Sequence, residues 1–131
     1  MVEYYTKICA KKGTATVVLT KARELLDVLH YNDEAGRAAY LAGFHAAQAL
    51  ISERTGQIAK THKGANSRFN LLTKGDRRVD AELHRFLQQA YNLKALADYE
   101  IGPDSVVPRE RIEAALATAA RFVDVVAELL A

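Results

Sequence analysis

The chain has 131 residues, half of them apolar, with two prolines, seven glycines and no tryptophan. This length predicts one domain with its own core, and this composition excludes a disordered chain and favours helices. The net charge of +2 does not by itself indicate a nucleic-acid-binding protein. A local basic cluster between Arg54 and Arg85 is either a solvated surface or a side that faces anions.

Cys9 is the only cysteine, which excludes an internal disulfide and agrees with a reducing compartment. No apolar run has the length of a signal peptide core near the start, or the roughly 20 residues of a membrane-spanning helix anywhere. We therefore expect a cytoplasmic protein that does not contact membranes. Residues 1–13 show no clear period and are predicted to form an N-terminal arm, followed by one helical domain over residues 14–131.

From about Thr14, apolar residues recur at spacings of three and four, which predicts a first helix. Its apolar face consists of Leu19, Ala22, Leu25, Leu26 and Leu29. A turn at residues 30–33 follows, and Asp33 is predicted to be the N-cap of the second helix. That helix should run from about Glu34 to Thr55 and stop at Gly56. Many of its residues are alanine or glycine, which predicts a central helix that other helices approach closely.

Three more helices complete the predicted fold. Thr61 can cap a short third helix over residues 63–73, and Asp80 can cap a fourth from Ala81 to about Glu100. Pro108 suits the first turn of a fifth helix, where its missing N–H has no consequence. Four amphipathic helices and one short helix predict an all-α protein: an antiparallel four-helix bundle with an additional short helix.

Several kinds of chemistry have no sequence support. The chain has no Glu-x-x-His pair for a di-iron centre, no HExxH, no Cys/His spacing for zinc and no glycine-rich phosphate loop. We therefore expect neither a metal site nor a cofactor.

Three segments stand out by their composition: GRAAYLAGFHAAQAL at residues 36–50, KTHKG at 60–64 and YNLKALADY at 91–99. Their order and spacing resemble the HEPN domain family. The similarity is to a branch of small prokaryotic proteins often encoded beside minimal nucleotidyltransferases, which shows RAYYA-x-FHAA-x-ALL, THKG and R-x-x-ADY segments. The resemblance covers about Leu19 to Leu130 and implies a HEPN-type bundle.

Each candidate site residue has a structural and a functional interpretation. Arg37 is either a buried or dimer-facing cation or a phosphate ligand, and His45 is either a packed histidine or a proton-transfer group. His62 and Lys63 lie at a predicted helix N-terminus, which favours anions, so they form either a capping turn or a nucleotide-phosphate contact. These two residues are the first part of the predicted nucleotide or RNA site.

The second part of that site lies on the fourth helix. Lys94 and Asp98 are four residues apart and are expected to pair at the edge of the apolar stripe, in a structural polar network. Tyr99, beside them, is expected to have a functional role through its hydroxyl group.

The resemblance also implies a possible nuclease activity. Many HEPN proteins are metal-independent endoribonucleases with an Arg-x4–6-His motif, in which histidine moves a proton and arginine stabilises phosphate charge. Two spacings here satisfy this loose motif: Arg23 with His30, and Arg78 (or Arg77) with His84. Neither lies in the three segments.

The end of the fourth helix departs from the nuclease pattern. Lys94 stands where the branch usually has arginine, whose bidentate fork lysine does not reproduce. Asp98 and Tyr99 stand where nuclease branches place histidine. Both departures weaken the nuclease interpretation.

Three hypotheses therefore remain open. The first is a non-catalytic, nucleotide- or RNA-associated partner subunit of a minimal nucleotidyltransferase in a toxin–antitoxin-like module. The second is a metal-independent endoribonuclease toxin, with Arg37, His45, Arg78 and His84 as candidate catalytic residues. The third is a scaffold dimer without a ligand. We also expect a homodimer, because the small residues of the second helix would allow close helix contact.

Overall fold

The computed structural model of the chain describes residues 14–27, 32–99 and 107–131. It contains five helices in this part of the chain: α1 (Thr14–Asp27), α2 (Asn32–Thr55), α3 (His62–Leu72), α4 (Ala81–Tyr99) and α5 (Arg109–Leu130). All five predicted helices are present, which confirms the all-α prediction. The predicted arm at residues 1–13 and the residues Leu29 and His30 lie outside the described residues.

The four long helices alternate in direction. Arg37 of α2 meets Asp98 of α4, whereas Gly43, further along α2, packs against Phe86, nearer the start of α4. These two helices are therefore antiparallel. Thr118 of α5 bonds to the start of α4, so α4 and α5 are antiparallel as well. Helix α2 packs against all four other helices, which confirms its predicted central position.

Two of the predicted N-caps are confirmed by hydrogen bonds. The Thr61 side chain accepts from the Gly64 N–H at 2.9 Å, and the Asp80 carboxylate accepts from the Leu83 N–H at 3.0 Å. Gly56, with φ 74°, directly follows α2. The N-cap prediction for Asp33 is wrong, because α2 begins at Asn32 and Asp33 lies inside its first turn. A carboxylate there still interacts favourably with the helix dipole.

All five helices contribute buried residues to the core, which is centred on α2. Phe122 of α5 contacts two aromatic rings, with centroids 4.7 Å from Phe69 of α3 and 5.0 Å from Phe86 of α4. All three rings are buried. Burial of each such side chain contributes about 1.5–3 kcal/mol relative to exposure.

The small residues of α2 are used inside the bundle. Gly43 lies so close to Phe86 that an added Cβ would come within 2.2 Å of the ring. Residues Ala35, Ala39, Ala42, Ala46, Ala47 and Ala49 are also buried within the chain. The face on which we based the homodimer expectation is therefore occupied by the other helices of the same chain.

Two arginines join helix ends that are distant in sequence. Arg54, at the end of α2, donates to the Leu129 carbonyl of α5 at 2.9 Å. Arg109, at the start of α5, donates to the Leu26 carbonyl at 3.1 Å and pairs with Asp27 at 2.6 Å. Both satisfy carbonyl groups that a helix C-terminus leaves without partners. In the described part of the chain, no helix combines the length and apolarity needed to cross a bilayer.

Candidate functional site

The segment between α2 and α3 is fixed to α2 by one buried side chain. Gln48, only 2 % exposed, donates to the Ala59 carbonyl at 2.7 Å and accepts from the Ala59 N–H at 2.9 Å. The primary amide thus satisfies both backbone groups of a residue that is itself buried. This pair of bonds determines where the chain enters α3.

The entry to α3 carries the two residues predicted to contact phosphate. Thr61 caps the helix, His62 is its first residue and Lys63 is its second. His62 is half-buried and faces the bundle, whereas Lys63 is exposed. Within the described residues, the Lys63 ammonium has no hydrogen bond or ion pair. A free cation beside unpaired helix N–H groups is an arrangement that attracts anions.

His62 lies among aromatic residues from α2 and α4. Its ring stacks on Tyr91 of α4, with centroids 3.9 Å apart and planes inclined by 9°. Its Nδ1 is 3.0 Å from the hydroxyl of Tyr40 of α2. Tyr40 and Tyr91 also meet edge to face, at 5.6 Å between centroids. The three rings therefore join α2, α3 and α4 at one place.

Burial shifts the pKa values of His62 and Tyr40. Burial lowers the pKa of His62; a side-chain interaction with Gln88 opposes the shift, and the charge of Lys94 adds to it. Burial also raises the pKa of Tyr40 to about 12, with a smaller contribution from Tyr91. At neutral pH the imidazole and the phenol are both uncharged. The buried Nε2 of His62 makes no hydrogen bond to the described residues.

A chain of ion pairs continues from this point along α2 and α4. Asp98 accepts from Lys94 at 2.5 Å through one oxygen, and from Arg37 at 2.8 Å and 3.0 Å through the other. Arg37 also pairs with Glu34 at 2.5 Å. The Lys94 ammonium lies 5.8 Å from the Tyr91 ring centroid, which connects the ion pairs to the aromatic residues.

The prediction that Lys94 and Asp98 pair is confirmed. Their side chains are 30 % and 34 % exposed, so they lie partly shielded at the bundle edge, as expected. The hydrogen bond from Lys94, and then that from Arg37, lowers the pKa of Asp98. Hydrogen bonding to Glu34 is the largest influence raising the pKa of Arg37. The charges of Arg37 and Lys94 are thus largely balanced by neighbouring carboxylates.

We call this group of side chains the α2–α3–α4 cluster; it comprises Arg37, Tyr40, His62, Tyr91, Lys94 and Asp98. The structure brings together four residues singled out from the sequence, namely Arg37, His62, Lys94 and Asp98. Lys63 lies next to His62 in the chain. Tyr99 is the last residue of α4, and its side chain lies outside the described part.

His45 and the arginine–histidine pairs have other surroundings. His45 is half-buried on α2, and burial lowers its pKa. Arg78 binds Asp76 through two nitrogens, at 2.9 Å and 3.1 Å, in the turn before α4. His84 places Nδ1 3.0 Å from Asn70 Oδ1 on α3. Arg78 and His84 thus have separate partners.

Of the other arginine–histidine spacing, only Arg23 is described, because His30 lies outside the described residues. Arg77 is exposed, and Arg23 pairs with Asp27 of its own helix at 3.8 Å. Among the described residues, no group of three or more His, Cys, Asp or Glu side chains is placed to hold a metal ion.

The described residues form an up-and-down helical bundle, and a polar and aromatic cluster spans three of its helices. A HEPN domain family model matches residues 12–129, which is most of the chain. The chain therefore belongs to the HEPN domain family, as the three sequence segments indicated. This membership supports a nucleotide- or RNA-associated function in general. No match was found among curated proteins.

Sequence reasoning missed the interactions between distant residues. The buried ring of Tyr40 places its hydroxyl group against His62, 22 residues away. Arg37 and Asp98 were treated separately, although they pair across 61 residues. Gln48 was not singled out. A glutamine in the middle of an apolar, alanine-rich helix was the available signal, because buried amides require partners.

Proposed function

We propose that this chain is a non-catalytic HEPN partner subunit that binds nucleotide or RNA phosphate at the start of α3, next to the α2–α3–α4 cluster. The observation that carries the proposal is the contrast between cations at this site. Arg37 and Lys94 are paired with carboxylates, whereas Lys63, beside the helix N-terminus, has no ion pair with any residue that the structure describes. Phosphate would therefore meet one available cation and the N–H groups of α3.

The surroundings of the arginine–histidine motif favour a non-catalytic role over the ribonuclease alternative. A nuclease needs an arginine free to stabilise phosphate charge and a histidine free to move a proton. The guanidinium group of Arg78 is bound to Asp76, and Nδ1 of His84 faces Asn70. A minimal nucleotidyltransferase is the protein partner we propose, by analogy with the HEPN branch that the sequence resembles.

The phosphate contact is tested by titrating the chain with ATP, AMP and a short single-stranded RNA. We expect Lys63→Ala to weaken binding about 2–5-fold and to flatten its salt dependence, since one favourable charge at a helix N-terminus is lost. Lys60→Ala is the matched control, because Lys60 is exposed and precedes the cap. Equal affinity in wild type and Lys63→Ala, or equal losses in both variants, would refute the assignment.

The non-catalytic role is tested by an RNA cleavage assay without metal on the chain alone. The partner is tested by co-purification with a minimal nucleotidyltransferase encoded beside the gene for this chain, and the cleavage assay is repeated on the product. We expect no cleavage above background and a stable complex. Cleavage that disappears in His84→Ala or Arg78→Ala would establish the ribonuclease alternative. Failure to form a complex would remove the proposed partner.

A further inference from the structure

A groove with a volume of about 510 Å³ runs between α4 and α5, on a different side of α4 from the ion pairs. Volumes of 300–1,000 Å³ are typical of sites for small molecules. The groove exists because the helices carry small residues where they face each other, including Ala90, Ala114 and Ala115. Its floor also includes Phe86 and Leu93, so the bottom of the groove is apolar.

Two arginines line this groove from opposite walls. Arg85 belongs to α4 and Arg111 belongs to α5. Thr118 meets Glu82 across the antiparallel helices, so Arg85 is level with Ala115, and Arg111 lies about four residues further along. A separation of four residues corresponds to about 6 Å along the groove. Both flexible side chains can therefore reach one anionic group between them.

Neither guanidinium group has a hydrogen bond or ion pair in the described part of the chain. This distinguishes them from Arg37, Arg109 and Arg121, which are all bound to carboxylates. Two guanidinium groups on facing walls repel each other and attract an anion, since like charges repel and opposite charges attract. Phosphate matches the guanidinium fork in charge and geometry.

The other described polar groups of the groove add little negative charge to its centre. Among the described residues Glu82 is the one carboxylate of the lining, and it is bound by Arg121 at 3.1 Å and by the Thr118 hydroxyl at 3.0 Å. Gln89 and Asn92 add amide groups along the α4 wall. An amide group can both donate to and accept from a polar edge of a planar ring.

We propose that the α4–α5 groove binds a phosphorylated small molecule of mononucleotide size. Arg85 and Arg111 hold its phosphate from opposite walls, and the apolar floor receives the planar body of the molecule. This site is separate from the start of α3. It requires neither Lys63 nor His62.

The experiment uses AMP as the probe and follows binding at the groove by the amide chemical shifts of residues 114–118, which separates it from binding at the start of α3. Arg85→Ala and Arg111→Ala should each weaken AMP binding about tenfold, because each removes a charged hydrogen-bonding group. Arg77→Ala is the matched control, since Arg77 is also exposed and lies outside the groove. We expect it to retain at least half of the wild-type affinity. Adenosine, which lacks the phosphate, should bind about tenfold more weakly than AMP.

A second variant fills the groove without changing its charge. Ala114 is exposed on the α5 wall, so Ala114→Leu should fold normally and reduce AMP affinity about tenfold or more. AMP should shift the amides of residues 114–118, and Lys63→Ala should leave this shift unchanged. The proposal is overturned if the groove variants bind AMP like wild type, if Arg77→Ala loses as much affinity, or if adenosine binds as tightly as AMP.

Discussion

His62 is held in its neutral form by the residues around it. Tyr91 covers one face of the ring, Tyr40 lies at Nδ1, and the Lys94 charge is near enough to lower the pKa. A proton on the imidazole would place a second cation in a partly buried space. The residues that position the start of α3 therefore also oppose protonation of His62.

The stability of the fold should consequently depend on pH near the ordinary histidine pKa of 6.5. The unfolded chain takes up protons near that value, whereas folded His62 resists protonation until a lower pH. The stabilisation is thus fully present above pH 6.5 and is lost as the pH falls towards the folded pKa. We expect a lower Tm at pH 5.5 than at pH 7.5.

His62→Phe retains the aromatic stack and should reduce this difference in Tm. His45 contributes in the same direction, because burial lowers its pKa too. The double variant His45→Phe/His62→Phe should therefore show a still smaller difference. If the Tm of the wild type and that of His62→Phe fell equally between pH 7.5 and pH 5.5, His62 would not be the cause of the pH dependence.

Among the described residues, Asp98 is the carboxylate that connects Arg37 of α2 to Lys94 of α4. Asp98→Asn should lower the Tm by no more than a few degrees, since partly exposed ion pairs contribute little. Lys94→Met should have a smaller effect, because the Arg37–Asp98 pair remains. Thermal unfolding at low salt and in about 1 M NaCl measures both. The loss in Asp98→Asn should shrink at high salt, and a loss independent of salt would contradict an ionic origin.

At the scale of the helices, the approach of α2 to α4 depends on Gly43. Gly43→Ala places a methyl group against the Phe86 ring and should lower the free energy of unfolding by about 1–3 kcal/mol. Urea denaturation measures the change. Gly36→Ala is the matched control, because the tightest contact of its Cβ would be with the flexible end of Ile112, at 3.0 Å, and Leu93 Cβ would lie at an ordinary 3.8 Å.

The control variant separates packing from helix propensity. Alanine is favoured over glycine inside a helix by up to about 1 kcal/mol. Gly36→Ala should therefore be near neutral or slightly stabilising. If Gly43→Ala raised the free energy of unfolding, α4 would be able to move away from α2 without a loss of stability.

The existence and order of the helices could be predicted because their signals are local. These signals act within one or two helical turns: the recurrence of apolar residues at spacings of three and four, the Thr61 and Asp80 caps, and Gly56. The Lys94–Asp98 pair could be predicted for the same reason. The start of α2 was placed too late, because Asp33 suits both an N-cap and a first turn.

The assembly of the site could not be predicted from these local signals. Which face of α2 meets α4 depends on the packing of Phe86 against Gly43, and this contact determines that Arg37 reaches Asp98. The α4–α5 groove depends likewise on three alanines whose mutual positions exist only in the folded bundle. Neither arrangement follows from the spacing of residues in one helix.

At the scale of the whole molecule, Arg109 joins the end of α1 to the start of α5. Arg109→Ala removes a donor from the Leu26 carbonyl and the ion pair with Asp27. We expect faster hydrogen exchange in a peptide that covers the last turn of α1, because this helix end would open locally more often. Mass spectrometry measures this exchange.

Arg111→Ala is the control for Arg109→Ala, since it removes a nearby arginine without a bonded partner. In Arg111→Ala, the hydrogen exchange rate of the last turn of α1 should equal that of the wild type. Equal exchange in α1 for both variants would mean that Arg109 does not hold the end of this helix. The comparison also separates loss of a specific bond from loss of one positive charge.

The two bonds between Gln48 and Ala59 divide the segment before α3 into parts with different tolerance for added length. One extra residue next to Gly56 would lie on the α2 side of the bonded Ala59, so the path from Ala59 to His62 would keep its length. One extra residue after Lys60 would lengthen that path and move His62 away from Tyr40 and Tyr91. Changes in chain length on the α2 side should therefore be neutral for the start of α3, and changes on the other side should disrupt it.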